Sequence, residues 1–188
     1  MYGASILYAF DGGAEGEWVV ERMTTLSGEA LAAIDRLRVH GAPVPDPGTP
    51  APVWRLRGVA SHLRYTLRSE AERLAASSDP LGRPEALCAA LIPISKSARW
   101  WSLAQDERRQ IYEERSRHTS IGMEYLPAIA RRLHHGRDLG EPFDFLTWFE
   151  YAPADEPAFE ELLRRLRASE EWDYVEREID IRLRWDGG

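Results

Sequence analysis

The side chains through which this sequence could do chemistry are five histidines, one cysteine, a lone lysine and two tandem pairs, Trp100-Trp101 and Arg131-Arg132. His118 follows the charged run Glu113-Glu114-Arg115-Ser116-Arg117 and precedes a segment that turns apolar, so it stands between solvent and core. An imidazole at such a boundary serves either as an ordinary satisfied histidine or as a metal or haem ligand, and spacing leaves both open. His134-His135 reads differently. Adjacent side chains on a helix point about 100° apart, which suits neither a chelate nor a single face, so the pair is expected at a solvated helix end where positive charge favours the dipole. Arg131-Arg132 falls where a helix from Met123 turns apolar at Leu126, Ile129 and Leu133. One guanidinium must lean toward that face, and a buried arginine without a carboxylate is costly, which points to an anion site nearby. Two neighbouring indoles must point apart, and each needs a partner for its N–H when buried; core packing alone accounts for Trp100-Trp101. Lys96 is the only lysine beside twenty-three arginines. That reflects either codon usage or a position that requires a compact ammonium a planar guanidinium cannot replace. Cys88 lies inside an apolar run and reads as a structural thiol rather than a nucleophile. No P-loop, dinucleotide fingerprint, nucleophile elbow or paired-cysteine zinc site is found, and Asp11-Gly12-Gly13-Ala14-Glu15-Gly16 lacks phosphate-cradling spacing.

The elements that must position these residues follow from periodicity and punctuation. Residues 3–9 and 17–22 read as strands joined by a turn at Asp11-Gly12-Gly13. A helix opens at Ser27, carries Leu31, Ile34 and Leu37 at helical spacing and ends at Gly41. Five prolines between Gly41 and Val53 mark a surface loop. Trp54 to Val59 alternates as a half-buried strand continuing through Tyr65, and a short helix is predicted over Ser69 to Ala76. Leu87 to Ile94 is uniformly apolar, a strand buried on both faces. Leu103 to His135 is predicted helical, interrupted at Gly122 and Pro127. Phe143 to Tyr151 has strand composition. A helix capped by Asp155 sets Phe159, Leu162, Leu163 and Leu166 on one face, and Val175 to Trp185 alternates as a last strand. This order predicts an α+β fold of ferredoxin-like halves, divided at residues 1–85 and 86–188.

Composition narrows the function classes. With 31 acidic and 24 basic residues in 188, the net charge is −7, which argues against nucleic acid and against a basic membrane-surface helix. The longest apolar run, Ala86 to Ile94, has nine residues, against about 20 for a bilayer span. The first ten residues lack the basic start of a secretory signal. A single cysteine excludes an intrachain disulfide, and a cytoplasmic protein is expected.

Several runs together resemble the chlorite dismutase family of haem proteins, in its short, dimeric, cytoplasmic lineage. They are Leu91-Ile92-Pro93-Ile94-Ser95-Lys96, Trp100-Trp101 with Asp106-Glu107-Arg108-Arg109, Arg117-His118, Tyr125-Leu126-Pro127-Ala128-Ile129-Ala130-Arg131, Phe143 to Glu150 and Tyr174 to Leu183, with Trp54 to Tyr65 upstream. The resemblance implies a dimeric α/β-barrel-type fold with a shortened N-terminal half. It implies haem b, with His118 as the proximal iron ligand and Glu171 accepting its Nδ1 proton. Such a carboxylate fixes the imidazole tautomer and increases donation to iron. Lys96 would join that network, Trp100 and Trp101 would line the haem cavity, and Trp101 with Tyr65 would hold the propionates. On the distal side Arg131 would be the catalytic arginine, within a wall of Leu126, Leu133, Thr147 and Phe149. One departure is His62, where the family pattern has asparagine; it touches the propionate contacts and not the ligation. Thirteen residues of straight helix would separate positions 118 and 131 by about 20 Å, so a bend at Gly122 or Pro127 is expected.

The activity implied is conversion of chlorite to chloride and dioxygen, with Arg131 retaining the hypochlorite fragment until its oxygen recombines. The alternatives are a coproheme decarboxylase, against which Arg131 and the short N-terminal half count, a haem carrier or sensor without turnover, and a haem-free α+β dimer. The partners implied are the chlorite anion and a second copy of the chain in a homodimer, with neither nucleic acid nor membrane.

Overall fold

The computed structural model describes residues 6–41, 50–60 and 81–187. Eight strands among them close into a barrel. They are β1 (Ile6–Gly13), β2 (Trp18–Ser27), β3 (Arg36–Gly41), β4 (Trp54–Ala60), β5 (Cys88–Lys96), β6 (Ile129–His135), β7 (Phe145–Tyr151) and β8 (Val175–Trp185), in the order β1-β3-β2-β8-β5-β7-β6-β4. Every pairing is antiparallel. Numbered within each run of four, both halves follow one order: β4-β1-β3-β2 in the first, β8-β5-β7-β6 in the second. Among the described residues the α-helices are α1 (Ala98–Ser102), α2 (Gln105–Arg109), α3 (His118–Glu124) and α4 (Glu156–Arg167), all of them after β5. No helix among the described residues is long and apolar enough to cross a membrane.

β5 shows why the barrel carries two cores. Its alternate side chains point to opposite faces, and both faces are covered: Ala89 and Leu91 join Phe10, Trp18 and Ile181 inside the barrel, while Ala90, Ile92 and Ile94 join Phe149 and the Phe159-Leu162-Leu163-Leu166 stripe of α4 outside it. A strand with no solvent face gains nothing from alternation, which is why its sequence reads as one apolar run. α4 and β8 stand where periodicity predicts them, and β7 begins two residues after the predicted start.

Three predictions are corrected. The helix expected from Ser27 to Gly41 is an irregular segment followed by β3. Arg36-Leu37-Arg38-Val39-His40 also satisfies a period of two, and pairing with β1 decides the matter. Leu31 and Ile34 still pack on the barrel core, from a non-helical segment. Asp11-Gly12-Gly13 forms the end of β1 and not the turn. The helix expected to run to His135 stops at Glu124, and after a turn containing cis Leu126–Pro127 the chain continues as β6. His134 and His135 are therefore not solvated helix-end residues; both are buried on a strand. The predicted helix over residues 69–76 lies outside the described residues, as do Tyr65 and His62.

Candidate functional site

The stretch before α3 is built to present His118. Residues Gln110–Arg115 form a wide helical turn closed by a bond from the Ser116 N–H to the Ile111 carbonyl, 3.0 Å. Such turns recur at functional sites. Arg117 follows at φ 54°, in the left-handed region that a non-glycine residue enters only at a cost. The start of α3 is then satisfied from behind: the Glu113 carboxylate accepts the N–H groups of Thr119 (2.7 Å) and Ser120 (3.3 Å) and the Ser120 hydroxyl (2.6 Å). These are helix N–H groups with no partner inside the helix. Tyr112, on the same turn, stacks on the His118 ring with centroids 4.6 Å apart, and burial pushes its hydroxyl up to about 12.

His118 Nδ1 lies 2.6 Å from Glu171 Oε2. Glu171 sits in a 3-10 turn, Glu170–Tyr174, and its own N–H donates to Ser116 Oγ at 2.9 Å, so the turn that presents the imidazole also locates the carboxylate. Lys96 Nζ closes the group, donating to Glu171 Oε1 (2.8 Å) and to the Glu171 carbonyl (3.2 Å). Lys96 reaches it through a register shift between Ser95 and Lys96 at the end of β5, the kind of irregularity that re-aims a side chain. The Lys96 and Glu171 side chains are 1% and 5% exposed. Burial alone would raise the Glu171 carboxyl, but the charges of His118 and Lys96 and the hydrogen bonds from both pull it down to about 2. With Nδ1 committed to a carboxylate, the donor atom His118 has left is Nε2.

Trp100 is buried beneath this group, with Lys96 Nζ 4.7 Å from its ring centroid and Ile111 and Tyr174 around it. Trp101 points elsewhere. Its indole N–H donates to Asp144 Oδ2 (3.1 Å), an oxygen that also accepts the Lys96 N–H (2.7 Å), and its ring stacks on Phe145.

The second wall is the outer face of β6 and β7. Arg131 stands opposite Phe149 in the ladder, and Leu133 opposite Thr147, so these four side chains form one patch. The turn after α3 brings Arg131 back onto the helix. A Cβ built on Gly122 would lie 2.0 Å from Arg131 Nη1, so the guanidinium rests on bare backbone one helical turn after His118. Among the described residues Arg131 makes no hydrogen bond or ion pair. Burial lowers its pKa, opposed by Tyr112 and Glu113, and a guanidinium remains charged nonetheless. Leu126 is half-buried in the turn leading to β6.

Of the residues singled out from the sequence, His118, Glu171 and Lys96 meet directly, Trp100 and Trp101 flank Lys96 and Asp144, and Arg131, Leu133, Thr147 and Phe149 share one face. Sequence reasoning missed Tyr112, Glu113, Ser116 and Asp144, which act across turns and strands. It also missed Trp172, whose ring lies nearly parallel to His118 at 6.4 Å and whose indole N–H donates to Glu178 (2.8 Å). Gly122 did carry a signal: a glycine inside a short helix costs about 1 kcal/mol against alanine and calls for a compensating contact.

A family model for chlorite dismutase matches residues 48–183. A crystal structure of dimeric chlorite dismutases from Nitrobacter winogradskyi is 53% identical over 94% of this chain and 99% of that one, with a TM-score of 0.86. A chlorite dismutase from Candidatus Nitrospira defluvii in complex with imidazole shares the fold, with a TM-score of 0.62 at 19% identity over 96% of this chain and 92% of that one. The chlorite dismutase of Ideonella dechloratans is 35% identical over 60 residues, so the match spans 32% of this chain and 20% of that relative's length. With a family model matched over most of its length and a solved relative superposing along nearly all of it, this chain belongs to the chlorite dismutase family.

Proposed function

We propose that the chain is a haem b-dependent chlorite O2-lyase, converting ClO2⁻ to Cl⁻ and O2, and that the observation carrying this reading is the pairing of the His118 wall with the Arg131 wall. One presents an imidazole whose tautomer is fixed by a buried carboxylate, the other a half-buried guanidinium with no protein partner among the described residues. The donor set fits haem. No group of three or more His, Cys, Asp or Glu among the described residues could hold a bare ion, so a single imidazole suits an iron whose remaining donors would come from a porphyrin. The apolar and aromatic surface of Leu133 and Phe149 suits the face of such a ring.

In this reading His118 Nε2 would hold the iron, with Glu171 keeping the proton on Nδ1 and Lys96 keeping Glu171 ionised. Trp100 and Trp101 would border the ring, and the resemblance assigns its propionates to Trp101 and to Tyr65, which lies outside the described residues. Bound haem supplies an iron centre that accepts an oxygen atom and gives it back. Arg131 would attract the chlorite anion into a weakly screened pocket, orient it, and hold the anionic hypochlorite fragment close by. Leu126, Leu133, Thr147 and Phe149 keep water from competing for that fragment. Atoms and charge balance without an added proton or electron donor. The common strand order of the two halves supports reading residues 1–85 and 86–188 as two ferredoxin-like halves. A homodimer follows the Nitrobacter winogradskyi relative, described as dimeric, and one buried free thiol, Cys88, fits a cytoplasmic setting.

An oxygen-electrode trace on haem-loaded protein tests the reading: chlorite should evolve one O2 per anion consumed. A Soret band without oxygen evolution would reassign the chain as a haem carrier. Arg131→Ala should keep its haem and lose about 10- to 100-fold in chlorite efficiency, the worth of one charge-assisted hydrogen bond, while inactivating sooner as hypochlorite escapes. His118→Ala should bind little haem.

A further inference from the structure

The two arginines in tandem on β6 face opposite ways, and chlorite chemistry uses only Arg131. Arg132 points into the barrel and helps line a cavity of about 530 Å³ at the end where β8 stops and β2 and β5 begin. That volume lies within the range of small-molecule sites, about 300–1,000 Å³. The wall is aromatic. Trp148 and Trp185 each meet Trp18 edge-on, with centroids 5.3 Å and 5.1 Å apart, and Trp185 is 38% exposed at the mouth.

The polar groups inside are unevenly satisfied. Glu150 accepts the Trp148 indole N–H (2.8 Å) and the Gly82 N–H (2.5 Å), and Glu17 accepts the Val39 N–H (2.9 Å). Arg83, also on the wall, donates to the Ala128 carbonyl at 2.9 Å. Among the described residues Arg132 bonds only to the Tyr8 side chain: it donates to the hydroxyl at 2.8 Å and lies 5.1 Å from the ring centroid. No carboxylate among the described residues pairs with it. The neighbouring His134 is buried and gives its Nδ1 proton to the Leu146 carbonyl, so it supplies no negative charge either. A half-buried cation held in place by a phenol, with N–H donors left over and three indoles beside it, has the chemistry of a clamp for an anionic group that carries an apolar body.

We propose that this barrel-end cavity is a second binding site, separate from the Arg131 face, for a small organic carboxylate whose carboxyl group pairs with Arg132 and whose apolar body packs on Trp18, Trp148 and Trp185. Benzoate is the probe. Calorimetric titration of haem-loaded protein should give saturable binding with a Kd on the order of 1 mM and no movement of the Soret band, which separates this cavity from the haem site. Arg132→Gln should weaken binding at least tenfold and Arg131→Ala should leave it unchanged. Trp185→Ala, at the exposed mouth, should also weaken it and stands in if Arg132→Gln does not fold. Absence of saturable binding, equal affinity in Arg132→Gln, loss of binding in Arg131→Ala, or displacement of benzoate by equimolar nitrate would each overturn the proposal. Since none of these readouts is oxygen evolution, the site can fail while the enzymatic reading stands, and the reverse.

Discussion

Replacing Gly122 with alanine would put a methyl carbon 2.0 Å from Arg131 Nη1 and 2.6 Å from its Cζ and Nη2. Ordinary contact begins near 3.5 Å, so the guanidinium must retreat by roughly 1.5 Å. It sits at the far end of a flexible side chain, and the retreat costs a poorer rotamer, on the order of 1 kcal/mol, rather than the fold. Against this, alanine in a helix interior is favoured over glycine by about 0.8–1 kcal/mol. The two effects nearly cancel with Arg131 present, and only the gain remains once Arg131 is gone. Thermal unfolding followed by circular dichroism in four proteins reads this out. Gly122→Ala alone should move Tm little, whereas in an Arg131→Ala background it should raise Tm by about 2–4 °C. The functional arm runs the other way: Gly122→Ala should lose chlorite efficiency toward the level of Arg131→Ala, with no further loss in the double variant. An equal rise in Tm in both backgrounds would show that the guanidinium does not rest on this helix.

Glu171→Gln leaves the Lys96 ammonium buried against a neutral amide and should cost about 3–5 kcal/mol in urea unfolding; adding Lys96→Met should recover most of it, and an equal deficit in the double variant would mean that the two charges do not support each other. His134 is held neutral, with burial pushing it down from its usual range to about 4. The unfolded chain therefore takes up that proton first, so the related stability is intact above pH 6.5 and lost on acidification toward 4, up to about 3 kcal/mol. His134→Gln should flatten the stability slope in that window, and an unaltered slope would contradict the assignment. Trp172→Phe removes the N–H that Glu178 accepts while Arg167 keeps its bond to that carboxylate at 2.8 Å. The expected loss is about 1 kcal/mol, with a shift in the iron–histidine stretch of haem-loaded protein; an unmoved stretch would leave Trp172 a packing residue only.

What could be read in the sequence depended on how local its cause was. The run Leu87 to Ile94 and the alternation of Val175 to Trp185 are set by burial of the strand itself, and both stand as strands. Residues 36–41 and 129–135 satisfy two periods at once, and the choice was made by partner strands far away in sequence. The same distance hides the site. His118 and Glu171 are 53 residues apart, and Lys96 and Glu171 are 75 apart; no spacing rule joins them, and only the family resemblance placed them together. One of Arg131 and Arg132 is expected to lean toward an apolar face from a helix, and Arg131 does so from a strand. Gly122 was read as a break in the helix when its meaning was the approach of another side chain.

Because consecutive residues of β6 look out on different chambers, the turn at 125–128 sets which guanidinium serves which one. A single-residue deletion there that moves the β6–β7 register by one would turn Arg132 and His134 outward and swing Leu133 into the barrel. The turn can therefore change length without exchanging the two chambers' contents only in steps of two.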